Sequence, residues 1–221
     1  LPGIIYRLVE RAMKYAIFDL DGTLLDSMWV WENIDLAFYK KYGLSPAPGF
    51  RDRVRSLSVR KAAELLNATF CLGKSSGDII IEISELGKDD YQNKVEAKPL
   101  VRETLERLRG EGVRMCVATA SVRANAEAAL SRLSLLHYFE FLITGDEVGS
   151  GKDNPEIYLK CAERLGARPG EVTVFEDALH AAATAKRAGF RVVGVYDRSA
   201  DADAPEMRKI CDRYIMDFGE L

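Results

Sequence analysis

The chain has 221 residues, with 31 Lys and Arg against 34 Asp and Glu, a net charge of −3 and 48% hydrophobic residues. That apolar share supports a core and excludes intrinsic disorder, while a near-even charge balance argues against non-specific nucleic-acid binding, which draws on clustered Lys and Arg. No stretch free of charged residues exceeds nine positions, as in 42–50 and 65–73, whereas about 20 apolar residues are needed to span a bilayer.

Residues 1–12 lack the apolar centre of a secretory leader and read as an extension ahead of Met13, with the pattern of a short amphipathic helix. From Met13, KYAIFDLDGT is a short apolar run ending in carboxylates and a glycine, as expected of a buried strand that delivers a polar loop. Residues 27–94 show helical rather than strand periodicity. Val59, Ala62, Ala63, Leu65, Leu66 and Phe70 recur at spacings of three and four, and breakers at 43–49 and 73–77 separate three helices. Beyond Pro99, helix and strand alternate regularly, with strands at VRMCVAT, FLIT, EVTVFED and RVVGVY.

This pattern predicts an α/β protein: a Rossmann-like parallel sheet with helices on both faces, formed by 1–26 plus 95–221, and an inserted all-helical cap at 27–94. Ligands of such sheets bind outside the carboxyl ends of the strands. Those ends carry Asp19 and Asp21, then Thr119 and Ser121, then Gly145 and Asp146, then Glu176 and Asp177. Cys71, Cys116, Cys161 and Cys211 are widely spaced with no Cys-x-x-Cys pair, which fits reduced thiols and a cytoplasmic setting better than disulfides or a zinc site.

Asp19-Leu20-Asp21-Gly22-Thr23 is the most specific signal in the chain. A glycine after the second acid permits a turn that aims both carboxylates at one point, and two adjacent anions at a buried strand end call for a cation or a shared proton. The alternative is a solvated turn after an edge strand. Glu176 and Asp177 repeat the problem after VTVF, and an oxygen-only donor set of this kind suits Mg²⁺. Thr119 ends a strand, and Ser121 is placed to cap the next helix, either as part of a phosphate cradle or to satisfy the turn. Lys152 precedes Asn154 and Pro155, a candidate N-cap and first helical residue.

DLDGTLLDS, VATAS, GKDNPEIY and VFEDA, in that order, resemble the four motifs of the haloacid dehalogenase superfamily, and the insertion resembles the helical cap of its β-phosphoglucomutase and sugar-phosphate phosphatase group. The resemblance implies Asp19 as nucleophile, Asp21 as general acid and base, and Lys152 as the cation that neutralises phosphate and Asp19. It also implies Thr119, Ala120 and Lys152 as substrate contacts, and Mg²⁺ held by Asp19, Asp177 and the Asp21 carbonyl, with Glu176 further out. The substrate would be a small phosphorylated metabolite, with neither nucleic acid nor membrane as partner. Ala178 and Ala181 depart from the pattern where Ser and Gly are usual, removing a hydroxyl neighbour of the acidic pair. Asp153 stands where a proline commonly follows the lysine.

Mutases of the group carry a histidine twelve residues after the nucleophile; that count reaches Trp31 here and favours hydrolysis. A mutase and a catalytically silent phosphate-binding protein are the competing readings. Arg51, Arg53, Arg55, Arg60 and Lys61 form either a cationic lip for the leaving group or a solvated helix face. Trp29 and Trp31 read as cap core, and His137 and His180 as structural. A cap of this kind would hinge near 26–28 and 94–99 to admit substrate and exclude water.

Overall fold

The structure is a computed structural model that describes residues 13–55 and 57–221, without the side chains of residues 52 and 55. The helix expected in residues 1–12 lies outside the described residues. A six-stranded parallel sheet forms the centre: β1 (Tyr15–Phe18), β4 (Arg114–Thr119), β5 (Leu142–Thr144), β6 (Val172–Glu176), β7 (Arg191–Val195) and β8 (Arg213–Ile215), in the order β5-β4-β1-β6-β7-β8. Strand alternation sorts the core onto its two faces. Ala16, Phe18, Met115, Val117 and Phe175 pack into one cluster, and Ile17, Cys116, Ala118, Val172 and Val174 into the other. In the first, Phe18 stacks on Phe175 at 4.4 Å between ring centroids, and Phe218 packs beside both.

Between β2 (Leu25–Asp26) and β3 (Glu96–Ala97) lie four helices: α1 (Met28–Tyr42), α2 (Phe50–Arg55), α3 (Val59–Phe70) and α4 (Ser76–Asn93). The short α2 was not expected as a separate helix, because six residues show too little periodicity to read. Local chemistry sets the ends of the others. Gly43 ends α1 in the left-handed conformation (φ 62°), the Ser58 hydroxyl accepts from Lys61 N at the start of α3, and Ser75 and Asp78 form a reciprocal capping box on α4. β2 and β3 pair antiparallel through Leu25↔Ala97 and Asp26↔Glu96, so both ends of the insertion leave the core side by side.

The core helices are α5 (Val101–Gly110), α6 (Arg123–Arg132), the single-turn α7 (Gly145–Val148), α8 (Glu156–Leu165), α9 (Leu179–Arg187) and α10 (Ala204–Ile210). The α4 helix packs on α6, where Asn125 Nδ2 donates to Ser84 O at 3.1 Å. Among the described residues no helix is long and apolar enough to cross a membrane, and all four cysteines are free.

Candidate active site

Register places the acids. Phe18 pairs with Phe175 and Asp19 N donates to Phe175 O at 3.0 Å, so Asp19, just past β1, and Glu176, the last residue of β6, emerge alongside one another. Gly22 adopts φ 83° in the turn after β1, and a Cβ there would sit 2.4 Å from Asp177 Oδ2. Glycine is thus required twice at this position, for its backbone conformation and for the approach of Asp177.

Asp19, Asp21, Thr119, Ala120, Lys152 and Asp177 all line one cavity of about 290 Å³ between the strand ends and the insertion. Lys152 is 6% exposed and donates to Asp19 Oδ1, and to Glu176 Oε1 at 2.5 Å. Tyr158 on α8 donates to the same Glu176 oxygen at 2.7 Å, and Thr23 Oγ1 donates to Asp177 Oδ1 at 3.0 Å. These two hydroxyls partner the acids despite the alanine at 178, which stands at the N-cap of α9.

The donor chemistry fits a divalent cation. Asp19, Glu176 and Asp177 offer carboxylate oxygens within 4.8 Å of one another, and all three residues are buried. Set against the single Lys152, three carboxylates, if all ionised, would leave a net charge of −2 in a buried site. Glu176 Oε2 is buried without a hydrogen-bond partner among the described residues, which leaves it available to a cation. Burial pushes Asp19 up to about 6, with Lys152 opposing and Glu176 reinforcing the rise. Burial and the charges of Asp19 and Glu176 hold Asp177 well above the usual carboxylate range. Burial would lower Lys152, but Asp19 and Glu176 outweigh it and keep the ammonium protonated.

The Asp21 carboxylate turns away from this cluster. Its Oδ1 accepts from Ser27 Oγ and from the Tyr91 hydroxyl, both at 2.6 Å, and its Oδ2 accepts from Ser121 Oγ. Burial raises its pKa above the ordinary aspartate value, the three hydroxyls oppose the rise, and the Asp19 charge adds to it. Ser121 therefore does not cap α6, whose N-cap position is Val122; the hydroxyl is committed to Asp21 instead. Thr119 Oγ1 accepts from Ser121 N at 3.0 Å, so this hydroxyl both satisfies the turn and lines the cavity.

Other expectations are corrected. Asp146 does not line the cavity: its Oδ1 accepts from Arg60 N at 3.0 Å, tying α7 to the first turn of α3. Asn154 accepts from Glu156 N at 3.0 Å while Pro155 takes the N-cap position of α8, one residue later than expected. Trp31 packs against the core cluster as expected and also lines the cavity, as does His180, which the sequence read as structural. Arg53 and Arg60 are exposed, and Arg51 lies over the Tyr39 ring at 5.2 Å. Among the described side chains no Lys or Arg of the insertion lines the cavity. Ser27, Tyr91 and Tyr158 were missed. Ser27 and Tyr158 sit inside DLDGTLLDS and GKDNPEIY, and a search of those motifs for hydroxyls would have found them; Tyr91 has no local signal.

Residues 16–195 match the haloacid dehalogenase-like hydrolase family. The chain is 31% identical to a phosphorylated carbohydrates phosphatase of Thermotoga maritima, over 87% of this chain and 89% of that one. It is 30% identical to the fructose-1-phosphate phosphatase YqaB of Escherichia coli K12, over 82% of this chain and 97% of that one. In fold it superimposes on a β-phosphoglucomutase from Clostridium difficile with a TM-score of 0.77 at 19% identity, covering 95% of this chain and 93% of that one. The chain belongs to the haloacid dehalogenase-like hydrolases, alongside relatives that are phosphatases.

Proposed function

We propose that the protein is a Mg²⁺-dependent phosphatase that hydrolyses a small phosphate ester, a sugar phosphate or similar metabolite, through an aspartyl-phosphate on Asp19. The observation that carries this reading is the single buried cluster in which Lys152 bridges Asp19 and Glu176 while Asp177 lies beside them. Residues 27–94 serve as the cap over this cluster. The two similar phosphatases support the reaction class, and Trp31 on the cavity wall, in place of a histidine, supports hydrolysis over phosphoryl return.

Asp19 attacks phosphorus, the new Oδ–P bond forming as the bond to the leaving oxygen breaks. Asp21, its pKa raised by burial, gives its proton to that oxygen and then takes one from the water that attacks the aspartyl-phosphate, releasing phosphate and restoring Asp19. Lys152 neutralises Asp19 and the incoming phosphoryl group, so that two anions can approach. Asp19 and Asp177, with Glu176 beside them, would hold Mg²⁺, which supplies Lewis-acid stabilisation of phosphoryl charge.

The test is phosphate release from a panel of small esters, with Mg²⁺ or with chelator, in the wild type and in Asp19→Asn. Release should be abolished by chelator, restored by Mg²⁺, and reduced roughly a thousandfold or more in the variant, as for loss of a covalent nucleophile. Undiminished release in Asp19→Asn would refute the reading.

A further inference from the structure

The insertion meets the core along two seams of unequal extent. On one side α4 lies along α6. Its meetings with the core recur every three or four residues, the spacing of a single helix face. Ser84 O accepts from Asn125 Nδ2 at 3.1 Å, a Cβ at Gly87 would stand 3.6 Å from the same nitrogen, and Tyr91 reaches Asp21. Just past the helix, Val95 O accepts from Arg132. This seam leads straight into β3, where the insertion rejoins the core.

On the other side α3 meets the core at its first turn. Asp146 Oδ1, on α7, accepts from Arg60 N at 3.0 Å, so a carboxylate of the core caps the start of an insertion helix alongside the helix's own Ser58. A Cβ at Gly145 would stand 3.2 Å from Ser58 Cβ and 2.9 Å from Ser150 O, so the absence of a side chain lets the two chains close to contact. The core stretch that makes this contact continues to Lys152. On the insertion side, Leu57, Val59 and Ala62, which flank the contact, line the cavity.

We infer that Asp146 is a latch: the insertion opens at the α3 side, turning on the α4–α6 seam and the paired strands β2 and β3, and the bond from Arg60 N to Asp146 is the one that must break. The α4 seam is held at several points and lies next to the hinge, whereas α3 starts far from either end of the insertion and is held at its tip. Opening there swings Leu57 and Val59 away from the loop that carries Lys152. A carboxylate cap on a helix start shifts such an equilibrium by about three- to tenfold, enough to favour the closed state and weak enough to open within a turnover. The latch is read from these contacts; its part in turnover rests on the phosphatase reading.

The test is thiol labelling of the full chain carrying Val59→Cys, with each labelled site resolved by peptide mass. Val59 is buried against the cavity, so reagent reaches position 59 when the insertion opens. Asp146→Ala should speed labelling there about three- to tenfold, and Asp146→Asn, whose amide oxygen still accepts from Arg60 N, should restore most of the slow rate. Cys116 and Cys161, fully buried in the core, report unfolding in the same sample and should stay unlabelled. A rate at position 59 unmoved by Asp146→Ala, one that rises only in step with Cys116 and Cys161, or an Asn variant as fast as the Ala variant overturns the latch. With Mg²⁺, the kcat/KM of a phosphoserine decapeptide relative to p-nitrophenyl phosphate should rise severalfold in Asp146→Ala, and an unmoved ratio overturns the latch's part in turnover. Release from neither ester by the wild type overturns the phosphatase reading, while labelling still decides the latch.

Discussion

The two walls of the cavity are built on opposite principles. The core wall gathers Asp19, Glu176, Asp177 and Lys152 from separate strand ends and loops and fixes them through register and short hydrogen bonds. The insertion wall presents the inner faces of amphipathic helices, whose apolar side chains Ile34, Phe38 and Val59 belong equally to the helices' own packing. Charge placed by a rigid sheet can be exact in position and intolerant of change, whereas an apolar wall selects by shape. Substitutions should therefore be costly on the first wall and graded on the second.

Lys152→Met should break the core wall most. It leaves Asp19 and Glu176 buried without their cation, and losing one partner of a buried ion pair costs about 3–5 kcal/mol. Denaturant unfolding should show that loss, alongside a fall in kcat of roughly a hundredfold or more. Tyr91→Phe should come next. It removes one of three hydroxyls from the Asp21 carboxylate, and a hydrogen bond to a charged group is worth about 1.5–3 kcal/mol. Its effect should appear in the pH profile of kcat more than in KM, if Asp21 moves the proton as proposed.

Lys98 probes the margin between the walls. It pairs with Asp197 at 2.9 Å and donates to Tyr196 O at 2.6 Å, anchoring the chain after β3 to the end of β7. Burial would raise Asp197, but the bond and charge of Lys98 prevail and hold it below the ordinary aspartate value. A depressed carboxylate stabilises the fold above its unfolded pKa of about 3.9, and that contribution is lost as pH falls through the folded value. Lys98→Met should therefore narrow the difference in Tm between pH 7 and pH 3, and an unchanged difference would show that the pair contributes nothing. Smallest of all, Arg60→Ala should alter stability by less than about 0.5 kcal/mol and activity on neutral esters by less than about twofold, because its side chain is exposed and Asp146 holds only its backbone N–H.

Much of this was legible in the sequence because the chemistry is local. A strand ending in two acids and a glycine, and a second ending in Glu176 and Asp177, announce themselves within ten residues each. The parallel sheet followed from the alternation of apolar strands with helices. What stayed hidden depends on contacts far apart in the chain. Tyr91 meets Asp21 across 70 positions, and nothing around Tyr91 distinguishes it from any tyrosine on a helix. Asp146 looked like a site residue by its place after a strand, yet its carboxylate is spent on α3. The edge strand β8 has three residues, two of them half-buried, too short for an alternation to register.

The position of β1 has a consequence in time. The strand that carries Asp19 lies at the centre of the sheet, yet its partner Tyr15↔Val172 is 157 residues away in the chain. At about 5–20 residues per second, a ribosome takes roughly 8 to 30 s to deliver that partner after β1 has been made. Until then one edge of an entirely apolar strand has no neighbour, and β4, which completes only the other edge, arrives first. Asp19, the proposed nucleophile, is thus made well before the strand that encloses it. Factors that shield nascent strands should therefore raise the yield of active protein more than they raise its final stability.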